Sequence, residues 1–156
     1  MFDACQDEEI RRWVPLPSPY TRESAEFFVR SYCPHGVASG QYWVWALRPA
    51  PEAPLLGVVE VRRDEAPGSA SLGAWLAPGA RGRGLMREGL AAVCANALTP
   101  APVGLGYDCL CWGFLPGNER SSRLAEAVGF EFGSGEHRQI VFEGETRDLL
   151  VGTLRR

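Results

Sequence analysis

A glycine- and arginine-rich loop, followed by an apolar helical run, limits the fold of this chain more than any other stretch. It reads "APGARGRGLMREGLAAVCANAL" and spans residues 77–98. From 84 to 98 the apolar residues recur at helical spacing, which predicts a helix that begins directly after the loop. Glycines let a ligand approach the backbone closely, and the first N–H groups of a helix have no partners within it. A strand, such a loop and a helix are typical of phosphate binding.

Three arginines stand at the start of this helix, at 81, 83 and 87. A cation at a helix N-terminus is unfavourable by ~0.3–1 kcal/mol, and a bound anion would reverse the sign of that interaction. The alternative is a solvated surface loop. Two common phosphate motifs do not fit. The dinucleotide fingerprint belongs to a βαβ unit, and the Walker motif needs a lysine. All 16 basic residues of this chain are arginine.

Composition narrows the class of protein. With 156 residues, 46% of them hydrophobic and 22% charged, we expect one globular domain over residues 1–156. The net charge of -3 argues against a nucleic-acid partner. No apolar run reaches about 18 residues, and the acidic N-terminus is unlike a signal peptide, so we expect no membrane partner. The 5 cysteines follow no secreted disulfide pattern, which favours a cytoplasmic location.

The remaining patterns predict a mixed α+β domain. A proline-rich extended segment precedes a helix that starts at Thr21. Three strands then follow as a meander rather than as alternating βα units. After the loop and its helix come a strand, a short helix that ends at Gly129, and two strands around a turn. The predicted bounds are 41–48, 55–63 and 70–78 for the meander, then 84–98, 105–115 and 119–128. The last two strands are predicted at 130–142 and 146–156, with their turn at 143–145.

Two stretches carry a family resemblance. "LGAWLAPGARGRGLMREGL" resembles the strand, pyrophosphate loop and helix of the GNAT N-acetyltransferases, whose loop reads Arg/Gln-x-x-Gly-x-Gly/Ala. Arg81 and Gly84 occupy its first and fourth positions, and Met86 replaces the usual small sixth residue. "PGNERSSRLAEAVGFEF" is similar to the N-x-x-S…G-F segment of the branch that acetylates the alanine or serine N-termini of ribosomal proteins. The proline-rich "RWVPLPSPYT" also resembles that branch.

The resemblance implies a GNAT fold, a twisted mixed sheet of about six strands flanked by helices. The family opens with a β-strand before its first helix, and this sequence offers no such strand. Either the first strand is missing or the start of the chain has been trimmed. The resemblance also implies that acetyl-CoA binds between two splayed parallel strands, 70–78 and 105–115.

The same resemblance assigns residues to the cofactor. Backbone groups near Trp75 and Leu76 would bind pantetheine, and a backbone N–H aimed at the developing oxyanion would polarise the acetyl carbonyl. The loop would cradle the pyrophosphate. Asn118 would hydrogen-bond the pantetheine arm, and it is also a good helix N-cap. The complete set expected to bind acetyl-CoA is Trp75, Leu76, Arg81, Gly82, Arg83, Gly84, Leu85, Met86, Asn118 and Ser121.

Two residues are candidates for catalysis. Many relatives protonate the leaving thiolate with a tyrosine, but Ala125 stands at that position here. Ser121 is then the best candidate acid, although its hydroxyl could merely stabilise the thiolate or bond the helix backbone. Glu60 is the candidate general base, because a charged side chain that faces inward from a central strand needs a reason. Strand alternation could equally place Glu60 on a solvated face.

The sequence therefore predicts an enzyme that transfers an acetyl group from acetyl-CoA to a primary amine, with a protein N-terminus as acceptor by resemblance. One alternative is a non-catalytic CoA-binding module, favoured by Ala125, Met86 and the missing strand. Another is an acetyltransferase for a small-molecule amine. No metal site is expected, because Cys109 and Cys111 lack a second pair or a histidine cluster. The oligomeric state is open, with a homodimer as one alternative.

Overall fold

The N-terminal part of the chain is helical. The computed structural model describes residues 1–133 and 137–156. A 3-10 turn, Ala4–Gln6, leads into helix α1, Glu8–Trp13, whose N-cap Asp7 accepts a hydrogen bond from the Ile10 N–H at 3.0 Å. An aspartate at this position satisfies one of the unpaired donors of the first turn. Helix α1 is not predicted from the sequence, since its six residues are too few to show a helical repeat.

A longer helical stretch follows the proline-rich segment. Helix α2, Arg22–Phe27, starts at Thr21 as predicted, and Thr21 forms a capping box with Ser24. A π-helical turn, Phe28–Tyr32, connects α2 to α3, Cys33–Ser39. The first strand of the structure begins after α3, so residues 1–41 contain no strand.

Strands and two further helices follow in the rest of the described chain. Their bounds are β1 Tyr42–Leu47, β2 Gly57–Arg63, β3 Ser69–Leu76, α4 Leu85–Leu98, β4 Cys109–Phe114, α5 Glu119–Val128, β5 His137–Phe142 and β6 Glu145–Arg155. Within residues 1–133 and 137–156, six strands form one sheet in the order β1-β2-β3-β4-β6-β5. All neighbouring pairs are antiparallel except β3 and β4, which are parallel, so the predicted mixed sheet and its opening meander are confirmed. Helix α4 crosses from β3 to β4, and α5 lies between β4 and β5.

Each face of the sheet carries its own hydrophobic core. On one face α4 and α5 pack against alternate residues of the strands, including Val59, Leu72 and Leu110. On the other face the N-terminal helices pack against Val58 and Trp75. Since side chains alternate along a strand, residues opposite one another in antiparallel register share a face. The pair Glu60 and Gly73 therefore lies on the face covered by the N-terminal helices.

Two predicted strands are shorter in the structure. The predicted strand 70–78 ends at Leu76, because Pro78–Ala80 forms a 3-10 turn. The predicted strand 105–115 begins only at Cys109. The N–H groups of residues 105, 106 and 107 donate instead to carbonyls at the end of α4, at 3.1, 2.9 and 3.0 Å. They are thus unavailable for pairing in the sheet.

The tail also differs from its prediction. Glu131 forms only an isolated bridge with Thr153, and β5 begins at His137, so the expected strand from residue 130 is wrong in its first part. Residues 134–136 of that predicted strand lie outside the described part. The predicted turn at 143–145 agrees with the two-residue connection between β5 and β6. No helix in the described ranges is long and apolar enough to cross a membrane.

Candidate active site

The parallel strands β3 and β4 separate part of the way along their length. Their pairing runs from Ser69 opposite Cys109 to Leu72 opposite Trp112 and goes no further. Beyond this point β3 continues to Leu76 and β4 to Phe114, each still paired to its other neighbour. The backbone edge of residues 73–76 that faces β4 is therefore open to a ligand. This is the divergence expected between strands 70–78 and 105–115.

A cleft of about 810 Å³ opens at this divergence. Its floor is formed by residues 73–76 of β3 and by the end of β4. The N-terminal helices and the proline-rich segment form one wall, and β5 with β6 forms the opposite wall. Of the residues proposed for the cofactor or for catalysis, those that line the cleft are Glu60, Trp75, Leu76, Arg81, Met86, Asn118 and Ser121. The structure thus brings residues of β2, β3, the loop, α4 and the start of α5 together around one cavity.

The glycine- and arginine-rich loop presents unpaired backbone donors beside the cleft. Gly82 and Gly84 have φ values of 73° and 75°, a left-handed conformation that favours glycine. Gly84 is the N-cap of α4 and Leu85 its first residue. The N–H groups of residues 82 to 87 donate to no acceptor within the described ranges. Successive free N–H groups at a helix N-terminus form an anion-binding concavity.

The side chain of Arg81 makes two contacts within the protein. Its guanidinium pairs with Asp7 and donates from Nε to the Leu76 carbonyl at 3.3 Å. Arg81 thereby fixes the loop between the end of β3 and the N-terminus of α1. Arg83 and Arg87 are exposed and pair with no carboxylate in the described part of the chain. If the loop holds an anion, those two arginines carry the positive charge that is free to face it.

Asp7 couples the loop to α1 in a way that depends on pH. Burial raises the pKa of Asp7, but hydrogen bonds from Arg81 and the Ile10 N–H outweigh burial and hold the pKa below its usual range. A carboxylate with a depressed pKa contributes stability that is present above its unfolded pKa and lost as the pH falls through its folded pKa.

We expect Asp7→Asn to lower the free energy of unfolding by up to about 1 kcal/mol at neutral pH, the range of a partly exposed ion pair. Asparagine still caps a helix, so the change isolates the Arg81 contact. Urea unfolding at neutral and at strongly acidic pH measures the difference, which should vanish in acid. Asp3→Asn is the control, because Asp3 is exposed and its side chain caps nothing. A difference that persists unchanged in acid would contradict the assignment.

Asn118 and Ser121 lie at the start of α5, next to the end of β4. Asn118 caps the helix, with its Oδ1 accepting from the Ser121 N–H at 3.2 Å. Its amide Nδ2 donates to no acceptor in the described ranges and remains available to a ligand. The hydroxyl of Ser121 accepts a hydrogen bond from Trp112 Nε1 at 2.9 Å. The Ser121 proton has no acceptor within residues 1–133 and 137–156, so it is free to donate into the cleft.

Glu60 faces the cleft from strand β2. Its carboxylate is 17% exposed, and its Oε1 accepts from Tyr32 Oη at 2.7 Å and from Arg62 Nη2 at 2.8 Å. Gly73 lies directly opposite Glu60 on β3, and a Cβ added there would meet no atom within 4 Å. The surface beside the carboxylate is therefore open. The side chain of Glu60 lines the cleft and does not lie on a solvated face outside it.

The edge strand β5 is tied across this face of the sheet. Arg138 donates to Asp64 at 2.8 Å and to Ser71 at 2.7 Å, residues that belong to the β2–β3 turn and to β3. It also donates to the sulfur of Cys111 at 3.0 Å, and burial raises the pKa of that thiol to about 11. Arg138 thereby holds the β5–β6 hairpin as the far wall of the cleft.

Residues 1–131 match the family model described as the acetyltransferase (GNAT) domain. The chain belongs to the GNAT acetyltransferase family. The predicted resemblance and fold are confirmed, since the family match covers the loop, the divergent strands and α5.

Solved structures of other GNAT proteins share the fold. A Vibrio cholerae protein that is described by inference as a ribosomal-protein-serine acetyltransferase aligns with a TM-score of 0.80 at 20% identity, over 97% of this chain and 83% of that one. The ribosomal-protein-S5-alanine acetyltransferase of Vibrio fischeri aligns with a TM-score of 0.79 at 14% identity, over 99% and 83%. RimJ of Mycobacterium smegmatis, solved with CoA-disulfide, aligns with a TM-score of 0.78 at 18% identity, over 99% of this chain and 73% of that one. No curated protein sequence matches the chain.

Two features of this GNAT site were not predicted from the sequence. Tyr32 donates to Glu60, and Asp7 pairs with Arg81. In each pair the two residues are far apart in the sequence, so no local pattern reveals the contact. Conversely, Ala125, at the position where relatives carry a tyrosine, is 0% exposed and packs in the core. Within the described ranges no group of three or more His, Cys, Asp or Glu side chains could hold a metal ion.

Proposed function

We propose that this GNAT protein transfers the acetyl group of acetyl-CoA to the N-terminal amine of a protein. One observation carries the proposal. The divergence of β3 and β4 joins unpaired loop N–H groups at one end of the cleft to the Glu60 carboxylate within it. A thioester that lies in the divergence would have its phosphates at the loop and its acetyl group within reach of an amine beside Glu60. Each part of the reaction then has a residue to serve it.

The loop and β3 are proposed to bind the cosubstrate. The free N–H groups of residues 82 to 87 would receive the pyrophosphate, with Arg83 and Arg87 supplying charge. The unpaired edge of β3 near Trp75 and Leu76 would hydrogen-bond the pantetheine amides and the acetyl oxygen. The Leu76 carbonyl already accepts from Arg81, so its remaining lone pair is what it can offer. Asn118 would donate to the pantetheine arm from its free Nδ2.

Glu60 is proposed to act on the acceptor. A protonated amine would be attracted to the carboxylate and would pass one proton to it. The amine nitrogen then forms a bond to the acetyl carbon while the carbon–sulfur bond breaks. The electron pair of that bond leaves with the thiolate of CoA. The second proton that the nitrogen loses as it becomes an amide nitrogen goes to solvent, from which the thiolate takes up a proton to give free CoA. A carboxylate in hydrogen-bond reach of the amine suits this task.

Ser121 is proposed to stabilise that thiolate. The Trp112 indole occupies one lone pair of the Ser121 oxygen, so the hydroxyl proton is directed to another acceptor. A serine hydroxyl has a high pKa, so a hydrogen bond to the thiolate is more effective than complete proton transfer. Hydrogen bonds to charged groups are about twice as strong as neutral ones.

Replacing Ser121 by alanine should lower kcat about tenfold, the effect of one lost hydrogen bond to a charged group. The dissociation constant of acetyl-CoA should change much less than kcat, since the loop and Asn118 are intact and Ser121 is proposed to act on the thiolate that forms in the reaction. Ser122→Ala is the matched control, because the Ser122 hydroxyl donates to the Glu119 carbonyl and lies outside the cleft. Steady-state kinetics with both variants decides the point. Equal rates for the two would remove Ser121 from the mechanism.

The acceptor class is supported by the structural neighbours from Vibrio cholerae and Vibrio fischeri, which are described as ribosomal-protein acetyltransferases. A spermidine N-acetyltransferase chimera also shares the fold, with a TM-score of 0.71 at 16% identity, so the fold itself accommodates both acceptor classes. We propose the protein N-terminus because the cleft has apolar walls from α2, the proline-rich segment and β5, which suit a peptide chain more than a polycation.

Acceptor profiling tests this choice. Peptides that begin with serine or alanine are incubated with acetyl-CoA and the protein, beside the same peptides with blocked N-termini and beside spermidine. Mass spectrometry should find acetylation of the free N-termini alone. Acetylation of spermidine in preference to every peptide would show that the acceptor is a small-molecule amine.

A further inference from the structure

Glu60 is held by two side chains that both bond the same oxygen. Tyr32 Oη donates to Oε1 at 2.7 Å, and Arg62 donates to Oε1 from Nη2 at 2.8 Å and from Nε at 3.2 Å. Arg62 Nη2 also donates to Tyr32 Oη at 2.7 Å, which closes a triangle of hydrogen bonds. No residue in the described ranges donates to Oε2. The two oxygens of this carboxylate are therefore in different environments.

The π-helical turn brings Tyr32 to this position. The Cys33 N–H donates to the Phe28 carbonyl, five residues back, so the helix carries one residue more in this turn than an α-helix would. The Tyr32 ring stacks on Tyr42 at a centroid distance of 4.1 Å and on Phe28 at 5.2 Å. The stack fixes the direction of the phenol. Such single turns are frequent at functional sites.

We propose that Tyr32 is a positioning residue for acetyl transfer, which holds Oε1 of Glu60 so that Oε2 is the oxygen offered to the acceptor amine. The inference rests on the proposed function. Within it, Arg62 supplies charge from β2, the strand that carries Glu60. Tyr32 supplies direction from the wall that the N-terminal helices form. Acetylation would then depend on a hydroxyl that touches neither substrate.

The surroundings keep Tyr32 a donor. Burial, together with the hydrogen bond to Glu60, raises the pKa of the Tyr32 phenol, so the hydroxyl stays protonated at neutral pH. The other titratable and charged groups that act on this cluster are Cys33 of α3, Arg62 of β2 and Tyr42 of β1. Burial also raises the pKa of Cys33, which keeps that thiol neutral. Arg62 is thus the cation of the cluster.

Tyr32→Phe and Tyr42→Phe are a matched pair of variants. Each removes one hydroxyl from the same aromatic stack, but only that of Tyr32 reaches Glu60. We expect Tyr32→Phe to lower kcat/KM for a peptide acceptor about tenfold, the size of a lost hydrogen bond to a charged group. The KM for acetyl-CoA and the midpoint of thermal unfolding should be the same in both variants. Tyr42→Phe should keep kcat/KM within about twofold of the wild type, because the Tyr42 hydroxyl forms no hydrogen bond in the described ranges.

Three results would overturn the inference, two of them kinetic and one structural. One kinetic result is an equal kcat/KM for the two variants. The other is a loss in Tyr32→Phe that a rise in the KM for acetyl-CoA fully accounts for, which would indicate a packing defect. A crystal structure of Tyr32→Phe adds a readout independent of turnover, since the Glu60 carboxylate should change its rotamer and an unmoved carboxylate contradicts positioning. A wild type without turnover contradicts the proposed function itself, whereas an active wild type with an indifferent Tyr32→Phe contradicts only this inference.

Discussion

Replacing Gly84 by glutamate is expected to weaken the binding of acetyl-CoA at least about a hundredfold, a change of about 2.7 kcal/mol. Gly84 is the N-cap of α4 with a φ of 75°, and it lies among the unpaired N–H groups of the loop. A Cβ there meets no atom within 4 Å, so the side chain is accommodated on the surface although the backbone conformation is strained. The new carboxylate would lie where the proposed pyrophosphate binds.

Calorimetric titration measures this effect, and Gly79→Glu provides the control. Gly79 lies in the 3-10 turn before the loop, and a Cβ there also meets no atom within 4 Å. The control introduces the same charge at a residue whose φ is not left-handed. Thermal unfolding of both variants shows that the fold is retained. Unchanged affinity in Gly84→Glu would mean that the loop is a solvated surface feature and that acetyl-CoA binds elsewhere.

Replacing Glu60 by glutamine should lower the rate of acetyl transfer about 10²–10⁴-fold, the usual contribution of a general base. The amide keeps the size of the side chain and its ability to accept from Tyr32 and Arg62, but it cannot take the proton of the amine. The affinity for acetyl-CoA should be unchanged, because the loop lies at the other end of the cleft.

Steady-state rates with a peptide acceptor test this prediction. Glu65→Gln is the matched control, since Glu65 is an exposed carboxylate in the β2–β3 turn and does not line the cleft. Its variant should retain the wild-type rate. A Glu60→Gln variant that is as active as the control would show that Glu60 has no catalytic role.

The sequence predicted those parts of the fold that depend on local patterns. The bounds of α4 and α5 follow from helical spacing, from the cap Asn118 and from Gly129 in the left-handed conformation at the end of α5. The meander of β1 to β3 follows from turn residues between apolar runs. In the candidate site, the free N–H groups of the loop agree with the interpretation of its glycines as an anion-binding turn.

What the sequence could not predict depends on contacts between distant residues. Arg81 is 74 positions from Asp7, and no local pattern announces their ion pair. The start of β4 was predicted too early because residues 105–107 bond the end of α4. The orientation of Glu60 follows from its register opposite Gly73, which alternation within one strand leaves undecided. The role of Tyr32 was missed because its contact with Glu60 joins residues 28 positions apart, which helical spacing does not reveal.

The release of free CoA tests the account most directly, because it separates an enzyme from a module that only binds the cosubstrate. The protein is mixed with acetyl-CoA, and free thiol is followed with and without a peptide that has a free N-terminal serine. We expect continuous release of CoA in the presence of the peptide, and none with the same peptide blocked at its N-terminus. Binding of acetyl-CoA without release in the presence of any amine would contradict the central claim and identify a non-catalytic CoA-binding GNAT domain.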